Sequence, residues 1–591
     1  MALSNLRVVI SWVPIFVICR QIKTYLAIAI LIVLLSAHIL QSRIVVVSVH
    51  LAPILWLAIV SRYVYWFVNR RLLYRKQSSL PHSFFLGHVG VLSKTKRSLP
   101  PDVHIQVLIS ILADTYDLRR QGVFYLDLYP IQTEPFMVLI RPETIQQATV
   151  SLPKHSVAYS KYTPVIGKET LVVADGQKWK ELRARFSPNF SHSAVLNFRN
   201  EMIYEAELFV DKLNDIVSSG GFISSMDELV VDPLSNIIGH IVLGEQLRSP
   251  SSSDDVVSSL QIASQLIHGS TTSISLTNLN PRHQLRVRHF ANKSTEQIRD
   301  KVFNRWHSIM SHSEKAISSN NDHKMSLVEH VLIDNAQRYG ALSADTVEML
   351  VENVKSLIFA GLDTSSTVFC YVLFELSRHP KSLELLRKEH DQIFGRDVEN
   401  AAEKLRSNPK LESEMTFTLA VIKETMRLYT PVGSTRMGKP GFDIVYDFEG
   451  TRHFFPTEGS MVYLAGPALH RDPTIFPEPS EFHPERFLPI RHSRFPVIPK
   501  HAYRPFERGP RTCLGQELAV SELKLLLLLV SRSFDFREAY EELDRNSNVP
   551  RPVEVDNLVS AGGRAYQVMY TTAKPKNGVP MWCSRRVNTE I

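Results

Sequence analysis

Cys513 closes the run Phe506-Glu507-Arg508-Gly509-Pro510-Arg511-Thr512-Cys513-Leu514-Gly515, and an amphipathic-to-apolar stretch from Gln516 to Val530 follows at once. A cysteine at the start of a helix has its thiolate stabilised by the positive end of the helix dipole and by free backbone amides, which suits a metal ligand. Gly509 and Gly515 let the backbone fold tightly around the sulfur and let a flat group approach, and Arg511 offers a fork of donors to a carboxylate. Taken alone, a cysteine near a helix start is more often an inert buried thiol. In Lys423-Glu424-Thr425-Met426-Arg427 the acid and the second base are three apart and share one helix face, where a bidentate pair can form. Such pairs are usually solvated surface contacts. In Ala360-Gly361-Leu362-Asp363-Thr364-Ser365, Gly361 lowers helix propensity and the Thr364 hydroxyl competes for a backbone carbonyl, which predicts a local opening of a helix there.

The elements that must position these groups are mostly helical. Periodic patterns run from Pro142 to about Phe534, including a helix from about Ser343 to Ser377 stopped by Pro380, and another from near Thr416 ending before Pro431. Strand signals are few: a hairpin over Val123–Leu128 and Phe136–Ile140, then Asp443–Tyr446, Met461–Leu464 and Ala565–Tyr570. The Ser-rich stretches at Ser249–Ser259 and Thr271–Asn280 read as exposed loops, and the residues after Lys574 as a loose tail.

With 44% apolar residues in 591, the chain has material for a large core. The net charge of +8 is spread along the sequence without a dense basic run, which argues against nucleic acid and leaves acidic lipids or an acidic protein partner. Cys19, Cys370, Cys513 and Cys583 form no CxxC pair or zinc-spaced cluster, so neither a zinc site nor a disulfide scaffold is expected, and the body belongs in a reducing compartment.

Three apolar segments, Val8–Cys19, Tyr25–Leu40 and Ile44–Val60, crowd the first seventy residues. Their succession argues for retention in a bilayer rather than a cleaved signal, as one to three helices. Arg70, Arg71, Arg75 and Lys76 follow, and the positive excess places that side, with everything after it, in the cytosol. The triplets beginning at Asn189 and Asn292 should then carry no glycan.

The cysteine run resembles the haem-binding loop of the cytochrome P450 family, F-x-x-G-x-R-x-C-x-G, at every fixed position: Phe506, Gly509, Arg511, Cys513 and Gly515. That register weighs heavily against an inert thiol. Phe482-His483-Pro484-Glu485-Arg486-Phe487 resembles the segment that supplies a second arginine to the family's E-x-x-R glutamate. The resemblance therefore implies a structural triad of Glu424, Arg427 and Arg486 behind the haem. It also places the A-G-x-D-T run over the distal haem face, with Asp363 and Thr364 relaying protons to dioxygen. Trp179 and Arg183 resemble the W-x-x-x-R of the family's third long helix, whose side chains meet a haem propionate, and Arg436 falls where a further propionate arginine is often found.

The likeness spans roughly residues 80 to 573. It implies a mainly α fold with a small β region, preceded by transmembrane helices, and a division into an anchor over 1–76, a haem domain over 77–573 and a flexible tail over 574–591. The single proline of Leu80-Pro81-His82-Ser83 departs from the family's proline-rich hinge, and more than one apolar segment is also unusual for the family, though seen in fungal members. The cofactor implied is heme b, iron protoporphyrin IX, with Cys513 as axial ligand. The activity implied is monooxygenation or desaturation of a hydrophobic small molecule by O2, similar to fungal enzymes of toxin and secondary-metabolite pathways. No reductase module follows Val530, so electrons come from a separate NADPH-cytochrome P450 reductase, with cytochrome b5 as a further partner, at the endoplasmic reticulum membrane. A haem-thiolate isomerase or dehydratase, usually lacking the acid–alcohol pair, and a non-catalytic haem sensor are the alternatives.

Overall fold

The computed structural model describes residues 44–77, 80–248, 255–269, 280–311, 324–489, 494–547 and 563–586. The apolar segments Val8–Cys19 and Tyr25–Leu40 lie outside these residues. The chain forms two units, one drawn from Met1–Arg97, Leu112–Leu139 and Met437–Tyr463, the other from Ser98–Ile111, Ile140–Arg436 and Leu464–Ile591.

In the first unit the third apolar segment is part of one helix, α1 (Ile44–Gln77). Strands β1 (Val123–Leu126) and β2 (Phe136–Leu139) pair antiparallel, Val123 opposite Leu139, and β3 (Asp443–Phe448) pairs likewise with β4 (Thr451–Pro456). Strand β5 (Met461–Leu464) lies beside β2. The last turns of α1 are tied into this unit. Arg70 Nε lies 2.8 Å from Asp127 Oδ1, Arg71 pairs with Oδ2, and the Tyr63 and Tyr129 hydroxyls are 2.8 Å apart. A turn earlier α1 has no such partners, and Ile54, Leu55, Trp56 and Leu57 are exposed. The predicted boundary at residue 76 falls in the last turns of α1, where Arg70 and Arg71 are buried against Asp127 while Arg75 and Lys76 are exposed.

The second unit is built around a helix. Its main helices are α2 (Gly176–Phe186), α3 (Arg199–Ser218), α4 (Met226–Leu243), α5 (Val256–Gly269), α6 (Pro281–Ser311), α7 (Ala344–Arg378), α8 (Thr416–Leu428) and α9 (Gln516–Ser533). The Ser343 hydroxyl caps α7 through the Thr346 amide, Asp345 and Arg378 suit its dipole, and Pro380 follows its end. By composition α7 is long and apolar enough to cross a membrane, yet 78% of its most apolar window is buried inside the unit, so it is a core helix. Its most extensive neighbour is α4. A Cβ on Gly361 would stand 3.1 Å from Ile238 Cγ1, so the glycine serves close packing of the two helices. The opening predicted at Gly361 is absent: α7 is helical throughout, and the Thr364 hydroxyl donates to Ala360 O at 3.0 Å without breaking it.

From Lys574 through Arg586 the chain is not a loose tail. Strand β9 (Met581–Arg585) lies between β6 (Phe534–Glu538) and Phe222–Ile223, and β7 (Gln567–Met569) pairs with β8 (Ala573–Pro575). The Lys, Arg, Pro and Gly content of this segment hides the alternation of Met581 and Cys583, which are buried. Asn189 is also buried, its amide 3.0 Å from His330 Nδ1, so it is no glycan acceptor in the folded chain.

Candidate active site: a cysteine loop facing the central helix

A cavity of about 340 Å³, partly open to solvent, lies wholly within the second unit. One wall is the Cys513 loop with Leu518 and Glu522 of α9; the other is Ala360, Gly361, Thr364 and Ser365 of α7. The loop folds back on itself through Cys513 N–H to Phe506 O at 2.9 Å and Thr512 N–H to Gly509 O at 3.1 Å. Gly509 has φ +80°, a conformation that L side chains rarely adopt, and Gly515 begins α9. Cys513 is exposed only in the sense that its side chain faces the cavity. Burial pushes its thiol above the ordinary value, while the Gly515 amide and the Arg183 guanidinium act the other way, toward the thiolate.

Cations gather on one side. Arg183 donates to Thr512 O at 2.9 Å, and Arg511 donates to Ala174 O at 2.8 Å, pairs with Asp175 and lies 4.2 Å from the Trp179 ring centre. Arg436 is buried, not on the cavity wall; it reaches Ser434 Oγ at 2.7 Å and has no partner for Nη2. Sequence reasoning missed Arg504, which lines the cavity, pairs with Glu507, donates to Thr149 Oγ1 at 2.8 Å and leaves Nη1 without a partner. It also missed Lys154, whose Nζ is 4.4 Å from the Tyr159 ring centre. Burial alone would raise the Tyr159 phenol, but Lys154 and Arg436 outweigh it and hold it below its usual value. No motif marks these residues.

The distal pair divides. Thr364 lines the cavity, but Asp363 does not: its Oδ1 is 3.0 Å from Lys574 Nζ and its Oδ2 accepts from Thr572 Oγ1 at 2.6 Å. Glu522, unmarked in a leucine-rich helix, does face the cavity. Burial pushes its acid up to about 8, against the opposing hydrogen bond with Ser365. Away from the cavity wall, Arg427 grips Glu424 with two bonds of 2.8 Å, and Arg486 Nε and the His483 amide reach Glu424 Oε1 at 3.1 and 2.9 Å. All three charged side chains are buried.

The family profile of Cytochrome P450 matches residues 121–553. The chain belongs to this family. Cytochrome P450 monooxygenase acrF of Aspergillus aculeatus is 31% identical over 82% of this chain and 98% of that protein. Cytochrome P450 monooxygenase polC of Polytolypa hystricis is 30% identical over 88% of this chain and 92% of its own length. The solved cytochrome P450DA heme domain shares the fold at a TM-score of 0.63 and 19% identity, over 85% of this chain and 95% of that one. The protein is therefore a cytochrome P450 monooxygenase with the mainly helical P450 fold, and its cofactor is haem held by a cysteine thiolate. The cavity fits that group. Among the described cysteines only Cys513 faces it, and the two unpartnered guanidinium nitrogens of Arg436 and Arg504 call for anionic partners such as propionates.

Proposed function

We propose that this P450 uses Cys513 as the axial thiolate and oxidises a hydrophobic small molecule of fungal secondary metabolism, by insertion of one atom of O2 or by desaturation. The observation that carries the reading is that Cys513 and Thr364 face each other's side of one cavity whose walls are largely apolar, with Leu171, Val172, Ile238 and Leu357 among them. When bound, the haem thiolate supplies dioxygen activation, its electron push favouring O–O cleavage. The chain's own residues do the rest. Arg183, Arg511 and the Trp179 ring would hold the propionate edge, with the buried Arg436 set back from the cavity wall behind them, while Phe506, Gly509 and Gly515 shape the loop around the sulfur. The buried Glu424–Arg427–Arg486 triad fixes the segment that the cysteine loop rests on. Thr364 holds a proton at its hydroxyl, and Asp363 restores it from the far side of α7.

Insertion consumes two electrons and two protons per O2 and releases one water. The electrons are supplied by a membrane-bound NADPH-cytochrome P450 reductase, with cytochrome b5 as a second donor. The exposed apolar side chains of α1 support an anchor within residues 1–76, at the endoplasmic reticulum, with the haem domain in the cytosol.

Turnover with labelled dioxygen, with and without reductase, is the test. Label in product or water supports the reading; reductase-independent turnover would mean a haem-thiolate isomerase or dehydratase, and no turnover of any kind a haem sensor. Within the oxygenase reading, Thr364→Ala should keep haem and its ferrous carbon monoxide band while product per NADPH falls. An unchanged yield removes Thr364 from the relay.

A further inference from the structure

One hydroxyl on the cavity wall has no partner in the protein. Ser356, Ala360 and Thr364 stand at every fourth position of α7, share one face of that helix and all line the cavity. Ser356 is only 2% exposed, and among the described residues its hydroxyl meets no hydrogen-bond partner. The other polar side chains that α7 lends to this wall are spent. Asn353 Nδ2 donates to Met349 O at 2.8 Å and its Oδ1 accepts from the Leu171 amide at 2.9 Å. Thr364 donates to Ala360 O at 3.0 Å, and Ser365 is engaged with Glu522.

The wall on the Ser356 side is held from the loop that faces it. Just over one turn earlier on α7, Glu352 Oε2 accepts from the Lys168 and Glu169 amides at 2.8 and 3.3 Å. With the Asn353 contact, this clips the loop to α7 and delivers Leu171 and Val172 to the cavity, where Leu357 and Ile238 add apolar surface. A buried hydroxyl without a partner is disfavoured, and a ligand oxygen that reaches it removes that penalty. The charge of that ligand group is also constrained. Lys154, Arg183, Arg504 and Arg511 line the cavity, but α7 contributes no charged side chain to it, so a carboxylate at Ser356 gains no counter-ion from the helix.

We propose that Ser356 is the polar anchor of the substrate site. It hydrogen-bonds an uncharged oxygen, a carbonyl or a hydroxyl, on an otherwise apolar substrate. The oxidised carbon of that substrate lies about 12 Å from the oxygen, the helical rise over the eight residues from Ser356 to Thr364. The inference rests on the reading that oxidation takes place beside Thr364. A site of this kind discriminates against the analogue that lacks the oxygen, because binding it leaves the buried hydroxyl unpaired.

The test titrates the holoenzyme with dodecan-2-one, n-dodecane and dodecanoate, following the shift of the haem Soret band. In the parent the ketone binds roughly fivefold more tightly than the alkane, as one hydrogen bond provides, and more tightly than the dodecanoate. Ser356→Ala removes the preference of ketone over alkane, and Ser356→Thr restores it. With reductase and NADPH, the parent oxidises the ketone at one position near the end remote from the carbonyl, whereas Ser356→Ala spreads oxidation along the chain. A ketone that binds no better than the alkane in the parent, a preference that survives in Ser356→Ala, or a dodecanoate that binds more tightly than the ketone overturns the proposal. If the preference is lost in Ser356→Ala but the parent's own product is scattered, the anchor stands and the placement of oxidation beside Thr364 fails. If product forms at one remote position in parent and Ser356→Ala alike, that placement stands and the anchor fails.

Discussion

The guanidinium of Arg511 lies 4.2 Å from the centre of the Trp179 indole while its Nη1 donates to Ala174 O and its Nη2 pairs with the Asp175 carboxylate. The two residues are 332 apart in sequence, so the stack joins the start of α2 to the cysteine loop. A cation over a half-buried indole contributes about 1 kcal/mol or somewhat more, and here it also fixes the direction in which Arg511 presents its remaining edge.

Removing the ring should therefore loosen the cofactor without touching the sulfur. Trp179→Ala is expected to weaken haem retention by roughly tenfold, the equivalent of about 1.4 kcal/mol, with Trp179→Phe in between. The ratio of haem absorbance to protein absorbance after gel filtration measures it. Retention equal to the parent in Trp179→Ala would show that Arg511 is positioned by Asp175 and Ala174 alone.

The Glu424 network should respond as a fold element. Its carboxylate takes two bonds from Arg427, one from Arg486 and one from the His483 amide, all away from solvent. Breaking one partner of a buried ion pair leaves an uncompensated charge and costs about 3–5 kcal/mol. Glu424→Gln is expected to give little soluble protein and no ferrous carbon monoxide band, and Arg427→Lys should do little better because a lysine cannot make the bidentate contact. Full haem incorporation in Arg427→Lys would show that charge alone suffices.

Much of this site was legible in the sequence because its signals are local. The glycines and arginine around Cys513 lie within a few residues of it, and Ser343, Pro380 and Pro431 punctuate α7 and α8 close to where their periodicity begins and ends. What was illegible depends on contacts far apart in the chain. Lys574 meets Asp363 across more than two hundred residues, and nothing near either residue announces it. Arg504 and Glu522 were missed for a different reason: an arginine in a loop and a glutamate among leucines read as surface groups until burial is known. The strand Met581–Arg585 was lost because its exposed faces carry the polar residues of a tail.

The junction of α1 with its unit gives a third expectation. Burial would raise the Asp127 carboxyl, but Arg70 and Arg71 outweigh it and hold the acid below its usual range. The stabilisation is thus complete above the ordinary carboxylate pKa of about 4 and is lost as pH falls through the lower folded value. Asp127→Asn strands two buried guanidinium groups, so amide hydrogen exchange in the last turns of α1 should quicken by roughly a hundredfold, matching about 3 kcal/mol. Unchanged exchange there would show that the Tyr63–Tyr129 contact and ring packing hold the helix unaided.

Glu522 offers a test with the opposite sign. Its acid moves from an ordinary 4.5 to about 8 because burial disfavours the carboxylate more than the Ser365 hydrogen bond favours it. Between those values the folded chain holds a proton that the unfolded chain has lost, so stability falls as pH rises, by at most about 1.4 kcal/mol per pH unit. His470 works in a separate window. Burial, Arg427 and Arg504 push its imidazole down to about 3, so the unfolded chain binds the extra proton and stability falls as pH drops below about 6.5. Glu522→Gln keeps the shape and an acceptor for the Ser365 hydroxyl while removing the ionisation. Its thermal midpoint should match the parent near pH 4.5 and exceed it increasingly toward pH 8, with the acid-side decline unchanged. Parallel midpoints across pH 5 to 8 would place the titration on another group and return Glu522 to a plain packing role.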